Sequence, residues 1–353
     1  MAFYSAGRII PAQDPFTGLS ARPGVCKIKE QKKNILVTGA TGFVGQVLCR
    51  AAITEDWNIR ALLRDPASGE TLPLQLQAAA VAGNMLDTES LHDACAGIDT
   101  ILHLAGDAHV GANQNDPLSH SLVVGAENLL SAALAVNVRR IVFVSSSLAQ
   151  SAEMDRGDVT DYGKSKLAAE RLLSDACKQG KIELVILRPV NVYGLGMKGN
   201  IAGMIAMILK GRLPPLPKLS SRISLLGVQD LAQAIILAAR VKKAEGQIYT
   251  ITDGESYAVS EIEGAIYQIS GRPMPTWRTP AVLLYAASAA AGLLNKIGLR
   301  KSSISTRTYQ NLMNDNLFDN EKACQELGFE PSTTLYKALP EIIENIVSTS
   351  HKA

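Results

Sequence analysis

Three side chains that can take part in proton transfer lie close together near the middle of the chain. Ser147 follows an apolar run, and Tyr162 and Lys166 come after it, four residues apart. On a helix this spacing places the phenol and the ammonium group on one face, so the positive charge stabilises the phenolate. A tyrosine whose pKa is lowered toward neutrality is a usable general acid or base. The pattern predicts that Tyr162 transfers a proton while Ser147 hydrogen-bonds the same substrate oxygen.

The two serines before Ser147 have a simpler interpretation. We expect Ser145 and Ser146 to end the strand and to satisfy backbone groups. For Lys166, the alternative of a surface lysine on an amphipathic helix is disfavoured because Tyr162 and Ser147 accompany it.

A second chemical pattern lies nearer the start of the chain, where Gly39, Gly42 and Gly45 recur every three residues between an apolar run and a helical pattern. The first glycine permits a tight turn, the second lets the backbone approach a phosphate, and the third lets the helix pack closely on the strand. The helix start offers free N–H groups and a positive dipole end. The pattern predicts a dinucleotide pyrophosphate site. Its expected residues are Gly39, Thr41, Gly42, Phe43, Val44 and Gly45.

Alternating strand and helix patterns must position both sites. Strand patterns fall near 34–38, 58–63, 79–82, 100–104, 140–145 and 183–188, and helical patterns near 43–53, 88–96, 119–136 and 161–179. This alternation predicts an α/β fold of the Rossmann type, with a doubly wound parallel sheet. Such sheets bind ligands beyond the carboxyl ends of their strands.

The pattern loosens after Gly194, with a helix expected near 200–211 and a strand at 223–226. We predict a nucleotide-binding domain over 33–190, to which 228–253 return. A smaller substrate-binding lobe would comprise 191–227 and 254–350. Residues 1–32 have no continuous apolar run of the kind a signal peptide needs, and we interpret them as an extension that is either disordered or docked on the surface.

Composition limits the classes of function. The chain has 353 residues, of which 47% are hydrophobic, and a net charge of only +2, which offers no electrostatic case for nucleic acid or an anionic membrane. Its five cysteines are odd in number and lack metal-ligand spacing, so we expect reduced thiols, a cytoplasmic location and no metal site.

One segment is unusually apolar. No charged residue occurs between Thr279 and Asn295, and 281–294 are strongly apolar. The segment is shorter than the ~20 residues that a spanning helix needs. We expect no stable membrane span and a buried or partly exposed helix of the substrate lobe. Monotopic membrane contact, which would favour a lipid substrate, remains the alternative.

The glycines, serine, tyrosine and lysine in this order resemble the extended branch of the short-chain dehydrogenase/reductase superfamily, the NAD(P)-dependent epimerases and dehydratases. The resemblance covers 33–346 and includes motifs at 101–106, 187–194 and 327–331. It implies hydride transfer to or from a nicotinamide cofactor, and a homodimer formed through two helices that include the Tyr162 helix. Within the branch, 188–200 and 222–225 look like enzymes that act on UDP-N-acetylhexosamines in surface-polysaccharide synthesis.

The resemblance also implies further binding residues. For the cofactor these are Arg64, Asn84, Met85, Leu104, Ala105, Gly106, Pro189 and Val192, with Lys166 donating to the nicotinamide ribose. For the substrate they are Asn191, Asn200 and Arg222 beside Ser147. The alternatives are a turn residue for Asn191 and a helix cap for Asn200. Arg222 is favoured because a guanidinium fork suits a diphosphate.

Cofactor choice depends on Arg64, which ends the second predicted strand. An arginine there accommodates the 2′-phosphate of NADP(H), whereas an acidic residue would hydrogen-bond the ribose. Arg64 therefore tilts the prediction toward NADP(H). The alternative is a solvated ion pair between Arg64 and Asp65. Asn84 stands where the family usually has aspartate, and its amide would meet the adenine.

The chain departs from the family pattern at two places. Leu122 stands where extended members usually have asparagine, and the stretch 148–161 between serine and tyrosine is short. The short stretch implies a more open or differently shaped pocket. His103 is expected to be structural, and His109 is a weak substrate candidate.

These observations favour an NAD(P)-dependent enzyme that transfers hydride at a secondary carbinol or keto group of a nucleotide-diphosphate sugar, most plausibly at C4. Whether it is an epimerase or a reductase stays open, because that depends on pocket room and cofactor retention. A 3β-hydroxysteroid or lipid alcohol dehydrogenase is the second enzymatic hypothesis. A cofactor-sensing regulator of the same fold is disfavoured, since such proteins commonly lack the tyrosine or the lysine.

Overall fold

The apolar strand patterns form a parallel sheet at the centre of the computed structural model, which describes residues 32–77, 79–106, 117–155, 159–217, 219–296 and 314–350. Among these residues seven strands pair in the order β3 (Ala80–Ala82), β2 (Asn58–Leu63), β1 (Asn34–Thr38), β4 (Thr100–His103), β5 (Arg140–Val144), β6 (Glu183–Pro189) and β9 (Ile248–Ile251). The strand order reverses between β1 and β4, where open sheets of this kind bind their ligands. The predicted doubly wound, Rossmann-type α/β fold is confirmed.

Helices cover both faces of this sheet. The helices of the described residues are α1 (Phe43–Ile53), α2 (Leu74–Gln77), α3 (Thr88–Cys95), α4 (Pro117–Ala135), α5 (Ser147–Glu153), α6 (Asp161–Lys178), α7 (Asn200–Leu209), α8 (Val228–Arg240), α9 (Val259–Ile269), α10 (Ala281–Lys296), α11 (Glu321–Leu327) and α12 (Leu335–Ser350). Within the residues that the structure describes, every helix falls short of the length and apolar character that crossing a bilayer requires. Side chains of α1 and α8 share one core with the sheet, and those of α3, α4 and α6 share the other. Every predicted strand and helix is present with ends within two residues. The helix α5 was not predicted.

A smaller sheet and a third core lie beyond β6. The strands β7 (Asn191–Tyr193), β8 (Arg222–Gly227) and β10 (Ser256–Ala258) form this sheet in the order β10, β8, β7. Residues of α7, α9 and α12 form the core packed with it. The helix α8 packs on the main sheet, and β9 is the last strand of that sheet. The division into two lobes stays a prediction, because Lys33–Ala353 form one unit.

A buried carboxylate ties the two sheets to the C-terminal helix. Asp253 follows β9 and accepts hydrogen bonds from the phenols of Tyr193 (3.0 Å) and Tyr257 (2.7 Å). The Tyr257 oxygen in turn accepts the backbone N–H of Leu335 at 3.0 Å, at the start of α12. Burial raises the pKa of Asp253 above its ordinary value. The three side chains thus fix β7, β9, β10 and α12 relative to one another.

We expect Tyr257→Phe to lower the free energy of unfolding by about 1–3 kcal/mol, because the change leaves the buried N–H of Leu335 without an acceptor. Tyr336→Phe is the matched control. Tyr336 packs edge-on against Tyr257 but is more exposed, so its loss should change the stability by no more than about 0.5 kcal/mol. Urea unfolding of the three proteins measures both values, and equal stability of the two variants would contradict the structural role of the Tyr257 phenol.

Candidate active site

The glycine-rich turn between β1 and α1 has the geometry of a phosphate cradle. Gly39 has φ +74°, and a Cβ on it would lie 2.9 Å from the backbone nitrogen of Ala105. A Cβ on Gly45 would overlap the carbonyl oxygen of Gly39. Gly42 is the N-cap of α1 and makes no side-chain cap, so the first-turn N–H groups remain available to an anion. The geometry of the turn suits the dinucleotide pyrophosphate site that its glycines predict.

Next to this turn, a buried hydrogen bond joins the carboxyl ends of β1 and β4. Thr38 Oγ1 lies 2.7 Å from His103 Nδ1 and accepts the N–H of Ala105 at 3.1 Å. Burial, with a smaller contribution from Lys166, lowers the pKa of His103 to about 3, so the ring is neutral. The histidine therefore has the structural role expected of it. It supports the loop 104–106, whose residues were predicted to line the cofactor.

Lys166 lies fully inside the protein, on the same face of α6 as Tyr162. Its Nζ donates to the carbonyl oxygen of Val144 at 2.9 Å and lies 4.7 Å from the ring centroid of Phe143 and 5.9 Å from that of Tyr162. Burial lowers the pKa of Lys166 to about 8, and Glu170 opposes this shift. The ammonium group thus lies near the Tyr162 ring, its catalytic role stays a prediction, and the alternative of a surface lysine is wrong because the side chain is buried.

The same ammonium group reaches the loop after β4. A Cβ on Gly106, which has φ +149°, would lie 3.2 Å from Lys166 Nζ and 3.4 Å from a methyl group of Leu122. The side chain of Lys166 thus lies next to the predicted cofactor loop, and its ammonium group is 5.9 Å from the centroid of the Tyr162 ring. Leu122, at the position where the family usually has asparagine, is buried in the core of α3, α4 and α6.

Ser147 is the first residue of α5. The strand β5 ends at Val144, and Ser146 caps the helix by accepting the N–H of Leu148 at 3.2 Å. The buried Oγ of Ser145 has no hydrogen-bond partner among the described residues. We expected the two serines before Ser147 to satisfy backbone groups. This is correct for Ser146 and wrong for the side chain of Ser145.

Close packing of α5 against α6 brings the serine and the tyrosine into one region. A Cβ on Gly163 would lie 2.5 Å from the carbonyl oxygen of Leu148, so only glycine allows this approach. Thr160 caps α6 by accepting the N–H of Gly163 at 2.7 Å. Gly163 was not predicted as a site residue, although a glycine directly after Tyr162 in a helical pattern was a usable signal.

A buried ion-pair network behind the site joins α5, α6 and β6. Arg188, on β6, donates from Nε to Glu170 Oε1 at 3.0 Å and from Nη2 to Oε2 at 2.5 Å. Its Nη1 donates to Glu153 Oε2 at 2.8 Å. Burial acts to lower the pKa of Arg188, but the two carboxylates together raise it. The network anchors both helices that carry the candidate catalytic residues. Neither glutamate was predicted from the sequence.

The residues predicted to contact the adenosine end lie beyond β2 and β3. Arg64 is exposed, and no ion pair joins it to Asp65 among the described residues. Asp65 instead caps the 3₁₀ turn Pro66–Thr71 by accepting the N–H of Ala67 at 3.0 Å. Asn84 uses its side-chain oxygen to accept the N–H of Leu86 at 3.1 Å, which leaves its amide hydrogens as donors. Met85 is half-buried beside it. Elsewhere, Pro189 is buried at the end of β6 and Val192 is half-buried in β7.

The predicted substrate residues lie on three different elements: Asn191 on β7, Asn200 on α7 and Arg222 on β8. Asn191 and Asn200 are exposed, and Gly199 occupies the N-cap of α7, so the alternative of Asn200 as a cap is wrong. Arg222 is half-buried and donates from Nε to Ser256 Oγ at 2.9 Å and from Nη2 to Ser256 O at 2.5 Å. Its guanidinium joins β8 to β10, and its contact with a diphosphate stays a prediction. His109 lies outside the described residues.

The turn at the switch point of the sheet places the protein among the Rossmann-type dinucleotide-binding proteins. The model of the NAD dependent epimerase/dehydratase family matches residues 35–252, and the chain belongs to that family. The protein is therefore an NAD-dependent enzyme of the epimerase and dehydrogenase type.

Several proteins are similar over nearly the whole chain. A 3-beta-hydroxysteroid dehydrogenase from Mycolicibacterium neoaurum is 29% identical, covering 88% of this chain and 90% of the relative. The N-acetyl-alpha-D-glucosaminyl-diphospho-ditrans,octacis-undecaprenol 4-epimerase of Escherichia coli O157:H7 is 25% identical, covering 88% and 94%. The structure of a Thermus thermophilus UDP-glucose 4-epimerase in complex with NAD matches with a TM-score of 0.66 at 20% identity, covering 89% and 99%. This last likeness shows the fold alone.

We expect the stability advantage of Lys166→Met over the wild type to shrink as the pH rises from about 8 to 10.5. The folded pKa of Lys166 is about 8 and its ordinary value is 10.5. Over that window the unfolded chain binds more protons than the folded one, so wild-type stability rises with pH and the variant lacks this gain. The change in the difference should be on the order of 1–3 kcal/mol.

Urea unfolding at pH 7 and pH 10.5 measures this difference. Lys164→Met, on the exposed side of the same helix, is the matched control and should show a difference that does not depend on pH. A difference for Lys166→Met that also stays constant would mean that burial does not shift this lysine.

Proposed function

We propose that Tyr162, Ser147 and Lys166 catalyse hydride transfer between NAD(P) and a secondary hydroxyl or keto group of a nucleotide-diphosphate sugar, of the UDP-N-acetylhexosamine type and at C4. The observation that carries this proposal is the position of the buried Lys166 ammonium, which lies beside the Tyr162 ring and against Gly106. Burying a charge costs free energy, so a core that served packing alone would favour an apolar side chain here. A cation at this place is explained if it stabilises the ionised form of the Tyr162 phenol.

Each residue has one task in this reaction. Tyr162 takes the hydroxyl proton when the carbinol is oxidised and returns it when the ketone is reduced. Lys166 stays charged below about pH 8 and stabilises the phenolate. Ser147, at the start of α5, donates to the same substrate oxygen. The nicotinamide cofactor, when bound, accepts or donates the hydride.

The outcome of the reaction depends on what happens to the keto sugar. If it turns over within the site and receives hydride on the opposite face, the product is the C4 epimer. If it leaves or enters from solution, the enzyme is a dehydrogenase or a keto-reductase. The Escherichia coli relative is named as a 4-epimerase of an N-acetylglucosaminyl group linked through a diphosphate to undecaprenol, which supports the N-acetylhexosamine and the epimerase outcome but not the nucleotide.

A homodimer formed through α4 and α6 is part of the proposal. Of the four small or apolar residues of α6 suited to such packing, Ala169 and Leu173 are buried in the core of the protein. Ala168 is exposed and Leu172 half-buried, so these two are the positions left for contact with a second copy.

A lipid alcohol is the second candidate substrate. It is supported by the 29% identity with a 3-beta-hydroxysteroid dehydrogenase and by the exposed apolar side chains of α10. A specific product from a sterol alcohol, with none from a sugar nucleotide, would favour it.

We propose that NADP(H) binds more tightly than NAD(H), because the exposed guanidinium of Arg64 follows β2 directly and Asp65 is used as a helix cap. Arg64→Gln should weaken NADPH binding about tenfold and leave NADH binding unchanged, since only the 2′-phosphate meets this residue. Arg50→Gln, an exposed arginine at the end of α1, is the control. Fluorescence titration of the reduced cofactors measures the affinities. Equal losses of affinity for NADPH and NADH would contradict a contact between Arg64 and the 2′-phosphate.

Proton NMR of UDP-N-acetylglucosamine incubated with the protein and a trace of NAD(P) tests the reaction. We expect the C4 epimer to accumulate with the wild type, and Tyr162→Phe to slow it by about 10²–10⁴-fold because the proton donor is removed. Tyr336→Phe, on α12, is the control and should retain activity. An active Tyr162→Phe variant would disprove the catalytic role of this tyrosine. An unchanged substrate would favour the keto-reductase or lipid-alcohol reaction.

A further inference from the structure

A buried hydroxyl group at the end of β5 has no hydrogen-bond partner in the described part of the chain. It belongs to Ser145, which is 4% exposed and directly follows Val144, the last residue of the strand. A buried hydroxyl without a partner costs free energy, because it has lost its hydrogen bonds to water and gained none in the protein. A role at a functional site and an internal water are two common explanations of such a group.

The backbone of Ser145 indicates the direction of its side chain. Its N–H donates to the carbonyl oxygen of Leu187 at 2.7 Å, so the pairing of β5 with β6 continues through Ser145. Side chains alternate between the two faces of a sheet. Val144 belongs to the core shared with α1 and α8, whereas Phe143 belongs to the core shared with α3, α4 and α6. Ser145, two residues after Phe143, therefore lies on the face of the sheet that α6 covers.

The ammonium group of Lys166, on α6, has unused hydrogen-bonding capacity at the same place. It carries three N–H donors, and the carbonyl oxygen of Val144 is the acceptor that the described residues give it. The Lys166 side chain also lies next to Gly106, in the loop after β4. Two neighbouring polar groups on one face of the sheet, each with spare hydrogen-bonding capacity, indicate a polar ligand more strongly than either group alone.

The position of the dinucleotide along the sheet decides which part of it Ser145 would meet. The glycine-rich turn after β1 suits the pyrophosphate, and the adenosine half of a dinucleotide extends from there toward the end of β2. Because the strands lie in the order β2, β1, β4, β5, the nicotinamide half extends the opposite way, toward the ends of β4 and β5. Ser145 follows β5 directly, on the face that also carries Lys166.

We propose that Ser145 is a cofactor-binding residue whose hydroxyl group hydrogen-bonds the nicotinamide half of NAD(P), at a ribose hydroxyl or at the carboxamide. A serine hydroxyl both donates and accepts, so it suits either group. The bound cofactor supplies the partner that this hydroxyl lacks among the residues described. The inference rests on the NAD dependence of the family and is independent of the proposed reaction and its substrate.

Isothermal titration calorimetry with NADH, NADPH and ADP tests the proposal. We expect Ser145→Ala to weaken the binding of NADH and NADPH about threefold to tenfold, because one hydrogen bond to the cofactor is lost. ADP represents the adenosine half, so its affinity should not change. Since these titrations contain no substrate, their result does not depend on which alcohol or ketone the enzyme takes.

The stability of the protein without cofactor separates this role from a structural one. Ser145→Ala removes a hydroxyl that makes no hydrogen bond within the described residues, so the urea midpoint should stay the same or rise. Added NADH should raise the midpoint less in the variant than in the wild type, because the variant binds it more weakly. A lower midpoint for Ser145→Ala without cofactor would show that an internal water or another part of the chain satisfies the hydroxyl, and would contradict the proposal.

Thr100→Val is the matched control. Thr100 is fully buried at the first position of β4, and its Oγ1 also lacks a partner among the residues that the structure describes. It lies at the amino end of its strand, away from the edge that binds the cofactor, so the affinities for NADH and NADPH should not change. Equal losses of affinity in Thr100→Val and Ser145→Ala would overturn the proposal, as would an unchanged NADH affinity in Ser145→Ala or an equal loss for ADP.

Discussion

The buried guanidinium of Arg188 is the interaction on which the candidate site depends most. It makes three hydrogen bonds with the buried carboxylate of Glu170 and a fourth with Glu153, which is 45% exposed. Removing one partner of a buried ion pair typically costs about 3–5 kcal/mol, because the other charge stays buried and unpaired, whereas an exposed partner adds little. The pair with Glu170 therefore holds α6 on β6, and the pair with Glu153 sets the position of α5 beside it.

A second charge is buried nearby, on the face of α6 that carries Tyr162. Lys166 lies one turn from Glu170 on α6, inside the core, with the carbonyl oxygen of Val144 as acceptor. Burial lowers the pKa of Lys166 to about 8, so its charged form is held in the folded protein at a cost to the stability of the fold. A buried charge with a shifted pKa is common at functional sites and rare in cores that serve packing alone.

The main sheet and the smaller sheet carry different features of the molecule. The glycine-rich turn, the helices α5 and α6 and Arg188 all belong to the main sheet and its flanking elements. The smaller sheet and α12 are joined to the main sheet through Asp253 and its two tyrosines. A fold that keeps its glycine-rich turn on one sheet can vary its substrate through the elements beyond that sheet.

The sequence by itself determined the strands and helices, because their periodicity and the glycines at 39, 42 and 45 follow from local geometry. It also placed Tyr162 and Lys166 on one face, since four residues make about one helical turn. Only the tertiary structure determined the contacts between residues that are distant in sequence. The guanidinium of Arg222 is engaged with Ser256, Glu170 faces Arg188 across 18 residues of chain, and Ser147 begins a helix that only Gly163 lets pack against α6. Such contacts depend on which elements meet in space, and sequence spacing does not encode that.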